Sequence, residues 1–391
     1  MRQAIEAIVV TIVVVLVVAL SLRRLVFLGA TLVRSRPLAP VGSTPTVTVL
    51  VPARNEHAVA DRLLAALGAL SYPAERLSFI LVCDGCTDET PARFNAWAEG
   101  RRDARVLELP LSGGKAAALN AGVGMVESEL VVVLDADLEP LSDFVAQLVR
   151  PFAEVRVAAA AAFVRPSNPD ANIITRYAAV NTWVHQLVTS AGTDRLGLNP
   201  PTLGAAAYRT SVLVTIGGFA PIPSGEDVAT SATLIRRGWQ TRFVDSAIAG
   251  NTVASDLGEY WRQHVRWTRG LFLARRDAAP SKASVAQRME SVAASLGYAD
   301  RLVFASALAG AMVDVVPGWV SLLYLAVPGL EVLTALFKAG IRRRIPAYLV
   351  ATLVFFVADL AASAAAVVMH AMRRPHAWHN PRAVTAGTAA E

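Results

Sequence analysis

The sequence predicts an α/β domain with a mainly parallel sheet, flanked at both ends by apolar helices that are long enough to cross a membrane. Two observations carry this prediction. Hydrophobic residues make up 54% of the 391 residues and charged residues only 17%, which is too apolar for an ordinary soluble enzyme. In the middle of the chain, short β-branched segments alternate with helical stretches, the order typical of a parallel sheet covered by helices.

The positive charge of the chain is interpreted as a topology signal. The formal net charge of +6 comes from 34 Arg and 3 Lys against 31 acidic residues. Arg clusters such as Arg23–Arg24 and Arg342–Arg344 border apolar segments, as the flanking residues of membrane helices do. We therefore expect contact with membrane lipid and no nucleic-acid partner.

Residues 1–37 are predicted to form one transmembrane helix with a basic flank. Ala7–Leu22 is almost entirely Ile, Val, Leu and Ala, and Leu25–Val33 extends it beyond the roughly 20 residues that a spanning helix needs. A cleaved signal peptide is the alternative, but the apolar segment ends at Arg23–Arg24 rather than at a small-residue cleavage site. More Arg follows this segment than precedes it, which predicts a cytoplasmic domain after it.

The segment after the central domain is predicted to meet the membrane surface. Residues 278–300, and within them Ser281–Ala299, are interpreted as an amphipathic helix lying at the bilayer interface. A soluble linker helix is the alternative. At the end of the chain, residues 372–391 form a polar tail.

Residues 301–371 are predicted to hold two or three membrane spans. Leu302–Leu336 is interrupted by Pro317-Gly318 and Pro328-Gly329, so it forms either one tilted span or two short ones. Ala347–Met369 forms a further, clearer span. The protein is therefore expected to be a multi-pass protein of the cell membrane.

Two ionisable residues, Asp314 and Asp359, fall within this apolar region. A charge at membrane depth costs about 2.5–3.5 kcal/mol on insertion scales, so such groups usually face protein or a wet cavity. The alternative is that they lie near helix ends.

The central domain covers residues 38–277. Its predicted strands are Thr46–Val51, Phe79–Val82, Arg105–Leu109 and Leu130–Leu134, and its first predicted helices are Val59–Leu70, Pro91–Trp97 and Lys115–Val123. Parallel strands need long crossover connections, and the helical stretches supply them. Ligands of such sheets bind beyond the carboxyl ends of the strands.

Polar residues follow each of these strands. They are Pro52-Ala53-Arg54-Asn55-Glu56, Cys83-Asp84-Gly85-Cys86-Thr87-Asp88, Ser112-Gly113-Gly114-Lys115 and Asp135-Ala136-Asp137. Asp135 and Asp137 present hard oxygen ligands that suit Mg²⁺ or Mn²⁺ together with substrate phosphates. Gly114 and Lys115 open a helix, where a diphosphate binds well. Singly, each motif has an ordinary explanation: Asp84-Gly85 is a common turn, Gly113-Gly114 relieves a tight loop before a helix, and a lone D-x-D arises often by chance. Their shared position at one sheet edge favours a functional site.

The two cysteines, Cys83 and Cys86, exclude a disulfide framework and indicate a reducing compartment. A closed zinc site would need more Cys or His nearby. A redox dithiol is the alternative to a buried strand-end Cys83, which we favour.

Gln263, Arg266 and Trp267 have the spacing i, i+3 and i+4, which places them on one face of a predicted helix from Leu257 to Arg269. Trp267 offers a flat apolar surface to a sugar ring, and Arg266 can bind a phosphate through two hydrogen bonds. A core Trp beside a salt-bridging Arg is the structural alternative.

Together these motifs resemble the family 2 glycosyltransferases, and in particular the membrane-embedded synthase branch that includes cellulose, hyaluronan and poly-N-acetylglucosamine synthases. The resemblance covers about residues 46–270. The matching segments, in order, are Pro52–Glu56, Cys83–Asp88, Gly113–Asn120, Asp135–Asp137, Gly225-Glu226-Asp227 and Gln263–Trp267. The sequence departs from the pattern at Cys83, where many relatives carry Asp, and at Val228-Ala229-Thr230, which lacks a further Asp.

The resemblance implies a GT-A type nucleotide-sugar-binding fold and a role for each matching residue. Those expected to bind the nucleotide sugar, a UDP-sugar, are Pro52, Arg54, Glu56, Asp84, Gly114, Lys115 and Asp135. Asp137 with Asp135 would hold Mg²⁺ or Mn²⁺, and Asp227, beside Glu226, would be the general base. The residues expected to contact the acceptor and the diphosphate are Gln263, Arg266 and Trp267, and Thr202-Leu203-Gly204 with Tyr208 match the acceptor pocket.

The activity implied is inverting transfer of a sugar to a glycan or lipid-linked acceptor, which forms a β-linkage in polysaccharide or cell-envelope synthesis. Processive synthesis and single addition both remain open. Extrusion of a polymer would need a partner subunit or a homo-oligomer, because two or three spans are few for a channel. A non-catalytic nucleotide-sugar-binding scaffold subunit is the alternative function.

Overall fold

The computed structural model describes residues 2–33, 35–38, 44–273, 282–296 and 300–372. Its strands are β1 (Val47–Ala53), β2 (Leu77–Asp84), β3 (Ala104–Leu109), β4 (Leu130–Leu134), β5 (Leu138–Pro140), β6 (Val157–Pro166), β7 (Ala205–Arg209) and β8 (Gln240–Asn251). Its helices are α1 (Arg2–Ala30), α2 (His57–Gly68), α3 (Thr90–Ala98), α4 (Lys115–Val123), α5 (Phe144–Leu148), α6 (Ile173–Trp183), α7 (Ala191–Arg195), α8 (Thr210–Thr215), α9 (Glu226–Arg236), α10 (Leu257–Leu273), α11 (Val285–Leu296), α12 (Asp300–Met312), α13 (Gly318–Lys338) and α14 (Ile345–Ala371). A π-helical segment, Val184–Ser190, joins α6 to α7.

The strands form one mixed sheet in the order β3-β2-β1-β4-β7-β6-β8-β5. The first four strands of this order are parallel, as predicted. Strand β7 is antiparallel to both β4 and β6, β6 and β8 are parallel, and β5 is antiparallel to β8. The parallel half therefore aligns the carboxyl ends of β1, β2 and β4 at one edge.

The central parallel strands are apolar along their length because the sheet is covered on both faces. Every residue of β1 and β4 is buried. Successive residues of a strand point to opposite faces: Val49 packs in the same core as Leu63 of α2, and Leu50 packs in the other core with Leu119 of α4. The four predicted strands are confirmed, and helix α4 begins and ends at its predicted residues.

Three described helices are long and apolar enough to cross a membrane, namely Glu6–Ala30 within α1, Gly318–Lys338 and Ile345–Ala371. The helical conformation is interrupted between α12 and Gly318, as Pro317 predicts. The predicted break at Pro328 is wrong, because Pro328 lies inside α13. Leu302–Leu336 therefore covers most of two helices. They are α12, which has 13 residues, and α13, which is long enough to span a membrane.

Part of the predicted interfacial segment is helical, as α11. Residues 274–281 and 297–299, and residues 373–391 of the predicted tail, lie outside the described residues.

The two acidic residues of the apolar region differ in their surroundings. Asp314 is exposed in the turn that follows α12, so it lies near a helix end. Asp359 lies in the middle of α14 and is 2% exposed, so it faces protein. Each of the two alternatives considered for such residues thus applies to one of them.

Buried ion pairs connect the apolar helices. Arg24 of α1 pairs with Asp300 of α12 and Glu331 of α13. Arg301 of α12 pairs with Asp359 of α14. Helix α14 also packs against α6 and α10 of the central domain, so the apolar helices and the sheet domain share an interface.

Candidate active site

The candidate site lies at the carboxyl ends of the parallel strands. Asp135 and Asp137 follow β4, Lys115 is the first residue of α4, and Glu226 and Asp227 are the first residues of α9. The fold thus brings together the two predicted acidic motifs and the predicted lysine, which are far apart in the sequence.

Lys115 is the cation at the centre of these carboxylates. Its Nζ lies 2.7 Å from Asp135 Oδ1 and 3.0 Å from Glu226 Oε1. Burial opposes the charged form, but the attraction of Asp135 and Glu226 prevails and raises the pKa of Lys115 well above its usual value. Lys115 therefore stays charged at neutral pH.

Asp227 is half-buried, and its carboxylate is held by backbone groups. Oδ1 accepts a hydrogen bond of 2.7 Å from the Val228 N–H, and Oδ2 accepts one of 3.2 Å from the Gly204 N–H. Burial, followed by the charge of Glu226, raises the pKa of Asp227 to about 7. A carboxylate with such a pKa is well suited to take up a proton near neutral pH.

The neighbouring carboxylates respond differently to the same surroundings. For Glu226, burial is outweighed by the attraction of Lys115, and the pKa lies below its ordinary value. For Asp135, burial and the charge of Asp137 raise the pKa despite Lys115. Lys115 forms ion pairs with two of the acidic groups, Asp135 and Glu226, and a divalent cation would balance further negative charge of the cluster.

Asp135 and Asp137 fit the requirements of a divalent metal bound together with a substrate. In the part of the chain that the structure describes, no group of three His, Cys, Asp or Glu forms a ready metal site. One or two carboxylates completed by substrate phosphates are, however, what Mg²⁺ commonly uses. Gly204 keeps the second oxygen of Asp135 accessible, since a Cβ there would lie 2.9 Å from Oδ2.

Asp84 shapes the glycine loop that precedes α4. Its carboxylate accepts hydrogen bonds from Ser112 Oγ at 2.7 Å, Gly113 N at 2.9 Å and Gly114 N at 3.1 Å. Asp84 is only 2% exposed, and Gly114 has a φ of 85°, a conformation that favours glycine. Sequence reasoning missed this structural role; contact of Asp84 with a nucleotide base stays a prediction.

The loops after β1 and β2 are connected to each other by hydrogen bonds. The Asn55 side chain accepts a hydrogen bond of 2.8 Å from the Thr87 N–H, and the Glu56 N–H donates one of 2.8 Å to Thr90 Oγ1. Asn55 has a φ of 55°, which Asn tolerates better than most residues. Asn55 and Thr87 belong to two of the motifs found in the sequence, but the hydrogen bond between them was not predicted.

Within these two loops, the residues predicted to bind the nucleotide differ in solvent exposure. Arg54 and Glu56 are half-buried at the sheet edge, while Pro52 is buried within β1. Nearby, His57 Nδ1 lies 2.8 Å from Asp88 Oδ2, a contact that further joins the two loops.

Helix α10 carries Gln263, Arg266 and Trp267, the residues predicted to contact the acceptor and the diphosphate. Gln263 and Arg266 are half-buried, and Trp267 is 42% exposed, so it is not a core residue. The charge of Arg266 contributes to the lowered pKa of Glu226, after the larger effects of burial and Lys115. Arg266 therefore lies near the carboxylate cluster, and contact of Gln263 and Trp267 with a substrate stays a prediction.

A small pocket lies beside the carboxylates of Glu226 and Asp227. Its lining residues are Lys115, Leu119, Val133, Leu203, Gly204, Ala206, Tyr208, Phe219, Glu226 and Asp227. The Tyr208 hydroxyl donates a hydrogen bond of 2.9 Å to Thr202 Oγ1, which fixes the ring at the pocket wall. The residues matched to an acceptor pocket are thus next to Asp227.

Both cysteines are free thiols. Cys83 is buried at the end of β2, as expected, and Cys86 Sγ lies 3.5 Å from the Ala53 carbonyl oxygen. A hydrogen bond with Cys83 is the main cause that lowers the pKa of Cys86 to about 7.

Several proteins of similar sequence are named as glycosyltransferases or glycolipid synthases. An N-acetylglucosaminyltransferase of Rhizobium meliloti is 30% identical over 253 residues, which cover 61% of this chain and 57% of that protein. A probable glycosyltransferase of Bacillus subtilis, YdaM, is 29% identical over 233 residues, 58% of this chain and 55% of that protein. A beta-monoglucosyldiacylglycerol synthase of Nostoc sp. is 26% identical over 235 residues, 59% of this chain and 49% of that protein.

A solved structure resembles the fold over most of its length. The mannosyltransferase PcManGT from Pyrobaculum calidifontis, in complex with GDP-Man and Mn²⁺, has a TM-score of 0.62 at 20% identity and covers 93% of this chain and 100% of its own. The central domain has the GT-A fold with a mixed sheet, and apolar helices lie at both ends of the chain.

The chain spans about half the length of the curated relatives that it matches. The model of the family described as glycosyltransferase like family 2 matches residues 45–270, which is more than half of the chain and contains every predicted site residue. On this match, the chain belongs to glycosyltransferase family 2.

Proposed function

We propose that this protein is a membrane-bound, inverting glycosyltransferase that transfers a sugar from a UDP-sugar to a hydroxyl group of a glycan or lipid-linked acceptor. The observation that carries the proposal is the half-buried Asp227, whose pKa of about 7 suits a general base, next to the Lys115 that bridges Asp135 and Glu226. The names of the relatives agree with hexose or N-acetylhexosamine transfer.

In the proposed reaction, the donor lies along the carboxyl edge of the parallel strands. The Pro52–Glu56 segment, together with Asp84, binds the base and ribose, and the diphosphate lies beside Gly114 and Lys115 at the N-terminus of α4, where a helix favours negative charge. Mg²⁺ or Mn²⁺, held by Asp135 and Asp137, would supply Lewis-acid stabilisation of the leaving diphosphate.

Asp227 accepts the proton of the acceptor hydroxyl as that oxygen attacks the anomeric carbon from the face opposite the diphosphate. The bond to the diphosphate breaks in the same displacement, so the configuration at the anomeric carbon inverts. Glu226 orients Lys115, and Lys115 and Arg266 stabilise the negative charge that develops on the diphosphate.

The acceptor is proposed to enter between α10 and the pocket beside Asp227. Trp267 offers its exposed face to a sugar ring, and Gln263 can hydrogen-bond to sugar hydroxyls. The pocket wall near Tyr208 would then limit how far the acceptor reaches toward the base.

Membrane attachment is proposed from the three helices that are long and apolar enough to span. The excess of Arg at the C-terminal end of α1 and beyond it favours a cytoplasmic catalytic domain and a multi-pass topology. The synthase-like branch of the family, and a product in polysaccharide or cell-envelope synthesis, are part of the same proposal. Polymer extrusion would require a partner subunit or a homo-oligomer.

The test is release of nucleoside diphosphate by the purified protein in liposomes. A panel of UDP- and GDP-sugars is supplied with Mg²⁺, Mn²⁺ or a chelator, together with glycan and lipid acceptors, and Asp227→Asn is assayed in parallel. We expect metal-dependent release from one donor, with turnover lower by about 10²–10⁴-fold in Asp227→Asn and donor binding retained. Unchanged turnover in that variant would remove Asp227 from the mechanism. Donor binding without any turnover in the wild-type protein would favour a scaffold subunit instead.

A further inference from the structure

The carboxylate of Asp359 has polar partners on three other helices. It lies inside α14 and is 2% exposed, where an ionised group is costly unless it is paired. Tyr177 donates a hydrogen bond of 2.8 Å to Oδ2, Tyr260 donates one of 3.0 Å to Oδ1, and Arg301 forms an ion pair with Oδ2. Both oxygens are thus engaged, by residues of α6, α10 and α12.

Of these partners, Tyr260 belongs to α10, the helix that carries the predicted acceptor residues. Its ring is fully buried and is stacked on His264 with 3.8 Å between ring centroids. His264 in turn contacts the ring of Trp267, with 5.1 Å between centroids and 60° between planes. A continuous set of contacts therefore leads from Asp359 to the exposed Trp267.

The far end of α10 packs against the loop that precedes the catalytic carboxylates. A Cβ on Gly270 would lie 3.0 Å from the Ser224 carbonyl oxygen, and a Cβ on Gly225 would lie 3.2 Å from the Gly270 carbonyl oxygen. These backbones are thus in direct contact, immediately before Glu226. Tyr260 and Gly270 lie about 15 Å apart along the helix, at 1.5 Å per residue.

We infer that Asp359 is a positioning residue for the acceptor side of the active site. By binding Tyr260, this carboxylate of an apolar helix fixes the position of α10. The position of α10 in turn determines where Trp267 and the Ser224–Gly225 loop lie. The inference rests on the proposed function, because it assigns the acceptor to the surface of α10. The donor-binding loops after β1, β2 and β4 belong to other elements.

The structure supplies a matched pair of variants for the test. Tyr260→Phe removes the hydrogen bond between α10 and Asp359 and keeps the ring stacked on His264. Tyr177→Phe removes a hydrogen bond of the same kind from the same carboxylate but leaves the link to α10 intact. The Tyr260 hydroxyl also accepts a hydrogen bond of 3.1 Å from Asn181 Nδ2, so Asn181→Ala controls for the loss of that bond.

Acceptor and donor kinetics are measured separately for the wild-type protein and these variants in liposomes. For Tyr260→Phe we expect the acceptor kcat/KM to fall by about 10- to 100-fold, the loss that matches one hydrogen bond to a charged group, while the donor KM and metal-dependent donor hydrolysis stay unchanged. Tyr177→Phe and Asn181→Ala should keep the acceptor kcat/KM close to wild type. Equal effects of the two Phe variants, or equal losses on donor and acceptor, would overturn the inference.

A second readout does not depend on activity. Hydrogen exchange of the α10 backbone amides, followed by mass spectrometry, should become faster in Tyr260→Phe and stay unchanged in Tyr177→Phe. If the wild-type protein transfers no sugar, the proposed function fails while this comparison still tests the coupling. Unchanged exchange of α10 in Tyr260→Phe would refute the positioning role.

Discussion

The active site and the interface of the apolar helices both bury clusters of opposite charges, but they balance them differently. Between the apolar helices, Arg24 contacts Asp300 and Glu331, and Arg301 contacts Asp359. Each of these three carboxylates therefore has an arginine partner. These ion pairs join α1 to α12 and α13, and α12 to α14.

The active site balances its carboxylates in another way. Lys115 pairs with Asp135 and Glu226, whereas the Asp227 carboxylate is held by the backbone N–H groups of Gly204 and Val228. A divalent metal held by this cluster would be the largest positive charge in the site. The comparison indicates that a structural cluster and a ligand-binding cluster can be distinguished by which carboxylates already have a cationic partner.

The largest effect, a loss of stability, is expected from removing Arg24 from the ion-pair cluster of the apolar helices. Arg24→Leu leaves Asp300 and Glu331 buried without their shared cation, which should lower the free energy of unfolding by about 3–5 kcal/mol. Equilibrium unfolding of the detergent-solubilised protein measures this loss. The control is Arg36→Leu, which removes a partly exposed 3.7 Å pair with Glu154 and should cost at most about 1 kcal/mol. Similar values for both variants would contradict a structural role of the Arg24 cluster.

Removing the cation of the active site should act on the reaction. Lys115→Met deprives the leaving diphosphate of a positive charge, so kcat should fall by about 10²–10³-fold. Lys338→Met is the matched control, because Lys338 lies on α13 with its Nζ 3.4 Å from the Thr31 carbonyl oxygen. Transfer kinetics at saturating donor and metal give the comparison. A kcat close to wild type in Lys115→Met would exclude Lys115 from leaving-group stabilisation.

Metal should stabilise the protein through the active-site cluster. Mn²⁺ and UDP together, at about 100 times their dissociation constant, should raise the free energy of unfolding by about 2.7 kcal/mol. Asp137→Asn should abolish this gain. Asp143→Asn, which changes an exposed acid directly before α5, should retain it. A gain that persists in Asp137→Asn would mean that the metal binds elsewhere.

The two halves of the sheet were unequally predictable from the sequence. Strands β1, β2 and β4 are apolar and rich in β-branched residues, so their pattern indicates strands directly. Strand β6 contains the run Ala158–Ala162, and alanine does not favour strands. Its conformation depends on pairing with β7 and β8, which the local sequence does not encode.

The residues of the candidate site were easier to predict than their contacts. Short motifs identified Lys115 and Asp227, but the choice of Asp135 and Glu226 as partners of Lys115 depends on the fold. The hydrogen bonds of Asp84 to the glycine loop join two motifs that sequence reasoning treated separately. Tertiary contacts between distant segments leave no periodic signal in the sequence, so they appear only in the structure.

The smallest effect, about tenfold per pH unit, is expected from the titration of Asp227. Burial and the charge of Glu226 raise its pKa to about 7, and a general base must be ionised to accept a proton. The donor kcat/KM, which reports the free enzyme, should therefore be constant above pH 7 and fall as the pH decreases below it. The acidic limb of the kcat profile, which reports the enzyme with substrate and metal bound, should lie at lower pH. A metal near Asp135 would favour the ionised form of the Asp227 carboxylate.

Rate profiles between pH 4 and 9, with the donor varied at saturating acceptor, test this difference between the free and the loaded site. The residual activity of Asp227→Asn should lack the acidic limb, while Lys338→Met should keep it. Coincident limbs near pH 4 for both kinetic constants would mean that the cluster does not hold Asp227 in its uncharged form before the substrate arrives. The active-site cluster would then resemble the ion-pair cluster of the apolar helices, in which every carboxylate has an arginine partner and two of them share Arg24.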